Sequence, residues 1–96
     1  MTGGIGLLLG SGASGPEVLG IVSGSPADAA GIHIGDVIEE IDGVTTAGLP
    51  LVAVADRFDG VVGTSVAIMV RTSGTRVKLS VARRAWRNLK SLPTRT

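Results

Sequence analysis

Glycines at positions 4 and 6, alternating with the apolar Ile5 and Leu7, give the chain its most distinctive chemical possibility. A backbone with that spacing can turn successive N–H groups to one side, and such a nest binds an anion. The amides of Ile5, Gly6 and Leu7 are thus a candidate cradle for a carboxylate. A strand starting at Ile5 would add an unpaired edge, along which an extended peptide could hydrogen-bond irrespective of its sequence. The same spacing is also that of an ordinary glycine-rich strand start, and the four residues alone leave both readings open.

Other residues with chemical potential point to structural roles. Gly10-Ser-Gly-Ala-Ser-Gly15 matches G-x-G-x-x-G after a strand, the spacing of a dinucleotide-binding turn. That turn needs a following helix to receive the pyrophosphate, and here Pro16 and a β-branched run follow instead. The stretch reads as a mobile hairpin loop, and no cofactor is expected. His33 is the single histidine and there is no cysteine, so a metal centre or a Ser-His-Asp triad would rest on one residue between Gly31 and Gly35. A solvated turn histidine is the expectation. Asp36, Glu39, Glu40 and Asp42 invite an acid–base or cation reading. Adjacent strand residues point to opposite faces, however, so Glu39 and Glu40 are expected to diverge and the four to serve as caps, turn formers and surface groups.

The elements that must position these residues follow from periodicity and turn chemistry. Ile5-Gly-Leu-Leu-Leu9 and Val18-Leu-Gly-Ile-Val22 read as two strands of a hairpin around a flexible loop over residues 10–16. Ser25-Pro26-Ala27-Asp28-Ala29-Ala30-Gly31 places a capping hydroxyl, a first-turn proline, an acid near the positive helix end and a terminal glycine in order. One short helix is predicted there. Val37-Ile-Glu-Glu-Ile41 is a mostly buried strand, turned tightly by Asp42-Gly43 into Val44-Thr45. The second helix spans Leu49 to Phe58, with Leu51, Ala55 and Phe58 on one stripe. Ser65-Val-Ala-Ile-Met-Val-Arg71 and Arg76-Val-Lys-Leu-Ser-Val-Ala82 form a last hairpin, in which Val77, Leu79 and Val81 alternate with polar residues. The expected class is α+β, mainly β: five or six antiparallel strands in a partly closed sheet, capped by two helices.

Composition bounds the functions available. The 96 residues make one domain with one modest core, which excludes a two-domain enzyme. With Trp86 and Phe58 the only aromatics, that core must come from aliphatic side chains. No apolar run reaches the roughly 18–20 residues of a membrane span, and no signal peptide is apparent. The charge is uneven: residues 1–82 hold four basic and eight acidic groups, residues 83–96 five basic and none acidic. Arg83-Arg-Ala-Trp-Arg-Asn-Leu-Lys-Ser-Leu-Pro93 has helical spacing at Ala85, Trp86, Leu89 and Leu92, a pattern open to a short basic amphipathic helix, although a frayed, solvated terminus with Trp86 lying on its own domain is the main expectation. One aromatic gives little support to base stacking, so a nucleic-acid partner is not expected.

The run Gly24-Ser-Pro-Ala-Asp-Ala-Ala-Gly-Ile-His-Ile-Gly-Asp-Val-Ile-Glu-Glu-Ile-Asp-Gly43 closely resembles a PDZ domain, in the bacterial pattern G-S-P-A-x-x-A-G-Φ-x-x-G-D-x-I-x-x-I-D-G, where Φ is apolar. Gly4-Ile-Gly-Leu7 resembles that family's carboxylate-binding Gly-Φ-Gly-Φ loop, and Asp59-Gly-Val-Val-Gly-Thr-Ser-Val66 its G-x-x-G-T-x-V passage. The match runs from Gly4 to about Arg83, so residues 1–83 are taken as the domain and residues 84–96 as a basic tail. Only three residues precede the loop, and a further strand follows Gly74. The chain therefore resembles the circularly permuted bacterial form, in which the last strand replaces a missing first one. In texture it is similar to domains attached to C-terminal processing peptidases and other bacterial proteases.

The resemblance implies a module that captures C-terminal or extended hydrophobic peptides by adding them to a sheet edge. Gly4, Ile5, Gly6 and Leu7 would hold the terminal carboxylate, and Leu8, Leu9, Leu51, Val54, Ala55 and Phe58 would line the groove. The implied groove is apolar and lacks the histidine that in the family favours Ser or Thr at the third-from-last ligand residue, so the implied ligands are hydrophobic C-termini. The implied partners are protein C-termini and a covalently attached protease domain, in a periplasmic or cell-envelope setting. The chain itself carries no catalytic constellation: Lys78 and Lys90 stand beside no evident nucleophile, and Asp-Thr/Ser-Gly does not occur. The competing reading is a structural or self-associating domain whose groove is blocked.

Overall fold

The computed structural model describes residues 2–85 and 94–95. Along the chain run β1 (Thr2–Gly4), β2 (Leu7–Gly12), β3 (Gly15–Val22), α1 (Pro26–Ala29), β4 (Val37–Ile41), β5 (Val44–Thr45) and α2 (Leu51–Phe58), then β6 (Gly60–Val61), β7 (Ser65–Thr72), β8 (Thr75–Ala82), β9 (Arg84–Ala85) and β10 (Thr94–Arg95). The main sheet has the order β10-β3-β4-β7-β8, with β2 added to β3 and β5 to β4; a smaller sheet runs β6-β1-β9. Every pairing is antiparallel. The fold is thus mainly β with two helices, and its order is not that of the chain: the C-terminal β9 and β10 lie beside the N-terminal β1 and β3.

Local chemistry fixes the sharp turns. Asp42 and Gly43 both have positive φ, at 51° and 80°, and Ile41 faces Val44 across them. Two consecutive positive φ values define the two-residue hairpin turn whose twist suits the flanking strands, and Asp-Gly is among the pairs that reach it most readily. α1 starts where Ser25, itself fully buried, accepts a hydrogen bond from the Asp28 N–H at 3.3 Å. α2 is shorter at its start than the sequence predicts, with Pro50 as its cap residue and Leu51 its first helical one.

The core is aliphatic, as composition requires. Val18, Ile21, Ile38, Val66, Ile68 and Val81 come from four strands of the main sheet, and each is at most 1% exposed. α2 contributes Val54 and Phe58, α1 contributes Ala27, and Ile5 enters from the loop between β1 and β2. On β8 Val77, Leu79 and Val81 face inward while Arg76, Lys78 and Ser80 stay in water.

Three expectations are corrected. The flexible loop over residues 10–16 is mostly strand: Gly10 faces Glu17, Ser11 faces Pro16 and Gly12 faces Gly15, so only Ala13 and Ser14 form the turn. Glu39 and Glu40 do not diverge. The β4–β7 ladder slips by one residue between Ile38 and Glu40, and this bulge rotates the strand so that both carboxylates reach Arg76, at 2.6 and 3.2 Å. Glu39 also binds Arg71 at 2.7 Å, so these ion pairs join β4, β7 and β8 on the solvent side. At the tail, Arg84–Ala85 and Thr94–Arg95 are extended and sheet-paired. The remainder of the stretch open to an amphipathic helix, including Trp86, Leu89, Lys90 and Leu92, lies outside the described residues.

Hydrogen bonds from Arg71 and then Arg76 hold the Glu39 carboxyl below its ordinary range. A carboxyl depressed in the folded state stabilises the fold above its unfolded pKa, roughly 4.3, and that contribution is lost as pH falls through the folded value. Urea unfolding at steps from pH 7 to pH 3 is therefore expected to separate wild type from Glu39→Gln by a constant amount above about pH 5. The two curves should draw together as the pH falls from about 4 toward the depressed value of Glu39. Parallel curves over the whole range would show that the ion pairs contribute nothing.

Candidate functional site

Between β1 and β2 the chain reverses through Ile5 and Gly6. The Ile5 side chain is 1% exposed, and its carbonyl accepts the Ala27 N–H of α1 at 2.9 Å. The Gly6 carbonyl accepts the Val22 N–H of β3 at 2.9 Å. All described peptide bonds are trans, and in a planar trans peptide the N–H of the next residue points opposite to the carbonyl. The Gly6 N–H is therefore turned away from α1, and the Leu7 N–H away from β3. Each of these two successive donors thus points away from the element that holds the carbonyl before it, at the start of β2.

Only glycine fits at this reversal. Gly6 has φ +88°, and a β-carbon there would overlap Ser25 Cβ and stand 2.6 Å from its hydroxyl oxygen. Gly4, one residue before Ile5, is pinned in β1 opposite Arg84. The loop is thus held by a helix, a strand and the C-terminal strand β9 at once.

Beyond the loop, β2 pairs with β3 alone among the described residues, so its other edge is open. α2 packs beside it. Leu7 and Leu9 are half-buried against the core, whereas Leu8, on the opposite face, is 54% exposed. Along α2, Leu51 is half-buried and Ala55 exposed, one helical turn apart on the wall next to β2. Val54 and Phe58, also one turn apart, are enclosed at 0% and 5% exposure. They belong to the core, so the predicted stripe of Leu51, Ala55 and Phe58 is split: its first two members offer surface and Phe58 supports them from behind. Leu8, predicted as groove lining, lies across the strand from this wall.

Sequence reasoning missed the far end of the groove. A pocket of about 160 Å³ opens there, between Ser11, Gly12, Gly15 and Pro16 of the hairpin and Thr46, Ala47, Gly48, Leu49 and Leu51 ahead of and within α2. The Gly48-Leu49-Pro50 run before the helix was its one sequence signal. At the other end of α2, the Arg83 guanidinium donates to the Phe58 carbonyl at 3.0 Å and the Arg57 carbonyl at 3.3 Å, where a cation suits the negative end of a helix. Neighbouring Asp59 has its pKa raised, by burial first and by Asp56 second, with Arg83 opposing.

The remaining candidates have structural occupations. Asp36 accepts the His33 N–H at 2.9 Å and Asp42 the Ala67 N–H at 2.9 Å; His33 itself is exposed. Lys78 is exposed on β8, and the Gly10-to-Gly15 run leads into β3 rather than a helix. Among the described residues no group of three or more His, Cys, Asp or Glu side chains is placed to hold a metal ion. No described helix is long and apolar enough to cross a membrane.

The PDZ domain family model matches residues 2–82. The chain belongs to that family. It is 39% identical over 61 residues to the carboxyl-terminal-processing protease of Synechocystis sp., a match that covers 64% of this chain and 14% of that protein. Among solved structures it is similar to the photosystem II D1 C-terminal processing protease, with TM-score 0.80, 28% identity, and coverage of 86% of this chain and 23% of that one. The fold also matches the PDZ domain of the carboxy-terminal protease from Vibrio cholerae, solved in complex with a peptide, with TM-score 0.77, 22% identity, and coverage of 88% and 96%.

Substituting Gly6→Ala tests the loop conformation directly. An L-residue in the left-handed region costs roughly 1–2 kcal/mol, and overlap with Ser25 adds to it. The variant is expected to unfold at least that much more easily in urea. A stability equal to wild type would show that the loop does not hold this conformation.

Proposed function

We propose that this PDZ domain captures the C-termini of peptides ending in a hydrophobic residue, by adding them as a strand to the open edge of β2. The reading is supported by the Ile5 and Gly6 carbonyls, held by α1 and β3, which turn the Gly6 and Leu7 N–H groups away from those elements at the start of that edge. Two charge-assisted hydrogen bonds from preset amides would hold a terminal carboxylate. The ligand chain would then run antiparallel to β2, its last residue beside Leu7 and its earlier ones toward Ser11. Side chains on its inner face would meet Leu7, Leu9, Leu51 and Ala55, an apolar surface that favours hydrophobic residues. Gly4 and Ile5 position the loop without offering side-chain surface of their own.

The biological setting we infer is substrate recognition or regulation for a covalently attached peptidase domain. Support comes from the chain's match to 14% of one processing protease and 23% of another, each of which holds much more than a PDZ domain. One apolar anchor and a short ladder of hydrogen bonds suit dissociation constants of order micromolar.

NMR titration of labelled protein with free-acid peptides ending in Val, Leu, Ala or Phe, beside their C-terminal amides, checks this reading. Saturable shifts at Ile5, Gly6 and Leu7 are expected with the acids and not the amides. Equal shifts with both forms would replace carboxylate capture by recognition of internal strands, and no shifts with any peptide would refute peptide capture.

A further inference from the structure

We infer that the pocket at the far end of the groove is a specificity subsite for the fifth residue from the ligand's C-terminus, and that it selects a leucine- or phenylalanine-sized side chain. The inference rests on the strand-addition reading above and extends it.

Strand geometry sets the register. The β2–β3 ladder slips between Leu8 and Leu9, but the unopposed residue is Leu19 of β3, so along β2 itself Leu7, Leu9 and Ser11 keep alternating with Leu8, Gly10 and Gly12 and share one face, the one whose first two members rest on the core. An added antiparallel strand places each residue's side chain on the same face as the one it opposes. With the last ligand residue at Leu7, the third-from-last stands at Leu9 and the fifth-from-last at Ser11. Those two steps span roughly 13 Å. The fifth-from-last side chain therefore arrives, with the correct facing, at a pocket whose lining includes Ser11 and Leu51.

The lining sets the chemistry. Pro16, Ala47, Leu49 and Leu51 are apolar, and two more wall positions, Gly12 and Gly15, carry no side chain. The Thr46 hydroxyl is committed inward, donating to the Ile38 carbonyl at 2.7 Å and the Glu39 carbonyl at 3.2 Å. A volume of about 160 Å³ resembles that of apolar cavities that admit a benzene ring. An adjoining hollow shares Gly15, Thr46 and Ala47 and leads to Glu39, Glu40 and Arg76, whose charges balance once Arg71, bound to Glu39, is counted with them. The side chains offered to a ligand at this point are thus mainly apolar, set among backbone polar groups.

Isothermal titration calorimetry on the full chain tests the assignment. The probes are the acetylated free-acid tetrapeptide Ala-Leu-Ala-Val and its five-residue extensions by Gly, Asp, Leu or Phe. The Leu and Phe extensions are expected to bind about tenfold more tightly than the tetrapeptide, a difference of ~1.4 kcal/mol, and the Gly and Asp extensions no more tightly than it. Ser11→Phe, which fills the pocket from the strand, is expected to abolish that gain while leaving tetrapeptide affinity unchanged. Ala47→Leu fills it from the opposite wall and should do the same if the first variant does not fold. Equal affinity for all five peptides would overturn the subsite and leave the groove reading standing. Absence of binding by every peptide, the tetrapeptide included, would overturn both.

Discussion

Everything around the groove depends on the hydrogen bonds that pin the carbonyls of Ile5 and Gly6 to Ala27 and Val22. A peptide plane has two ends, and fixing one fixes the other. By holding both carbonyls, α1 and β3 turn the following amides away from themselves, with no further side chain needed to aim them. The same anchoring forces φ +88° at Gly6, pushes Ile5 into the core and sets the point from which β2 departs. A donor pair assembled this way is stiff, because moving it would unmake a helix contact and a sheet contact together.

The wall opposite β2 is steadied by different means. α2 has no side-chain cap at its start, and its end is gripped by Arg83, which also donates to Thr64 and to the Ser65 carbonyl. One guanidinium therefore joins the end of α2 to the start of β7. Arg84, the next residue, pairs with Gly4 and donates from its side chain to the Gly24 carbonyl. Two adjacent arginines in the C-terminal segment thus hold the helix on one side of the groove and the loop on the other.

Much of this architecture was legible because it is written in local signals. Asp42-Gly43, Ser25 with Pro26, and the alternation of Val77, Leu79 and Val81 each act over a few residues, and each element formed where its signal lay. The chemistry of Gly4 to Leu7 could be read, while the direction of its amides could not, since that depends on Ala27 and Val22, distant in sequence. Residues 10–12 were hidden because glycine and serine carry no alternation to reveal a strand. The convergence of Glu39 and Glu40 depends on a slip between β4 and β7, which no single strand encodes. On α2, Leu51, Val54, Ala55 and Phe58 lie on one broad arc of the helix, so which of them meets the core is decided by the neighbouring sheet.

The open edge of β2 has a second consequence. An unpaired strand is a template for any extended backbone, and every molecule of this protein carries one, so the feature that would admit a peptide also exposes each copy to its neighbours. The strand limits that hazard by its own makeup. Its apolar stretch ends at Leu9, and Gly10-Ser-Gly12 continues the hydrogen-bonding track with almost no greasy surface for a sister strand to grip. The residues that made this segment hard to recognise as a strand also make it a poor seed for aggregation.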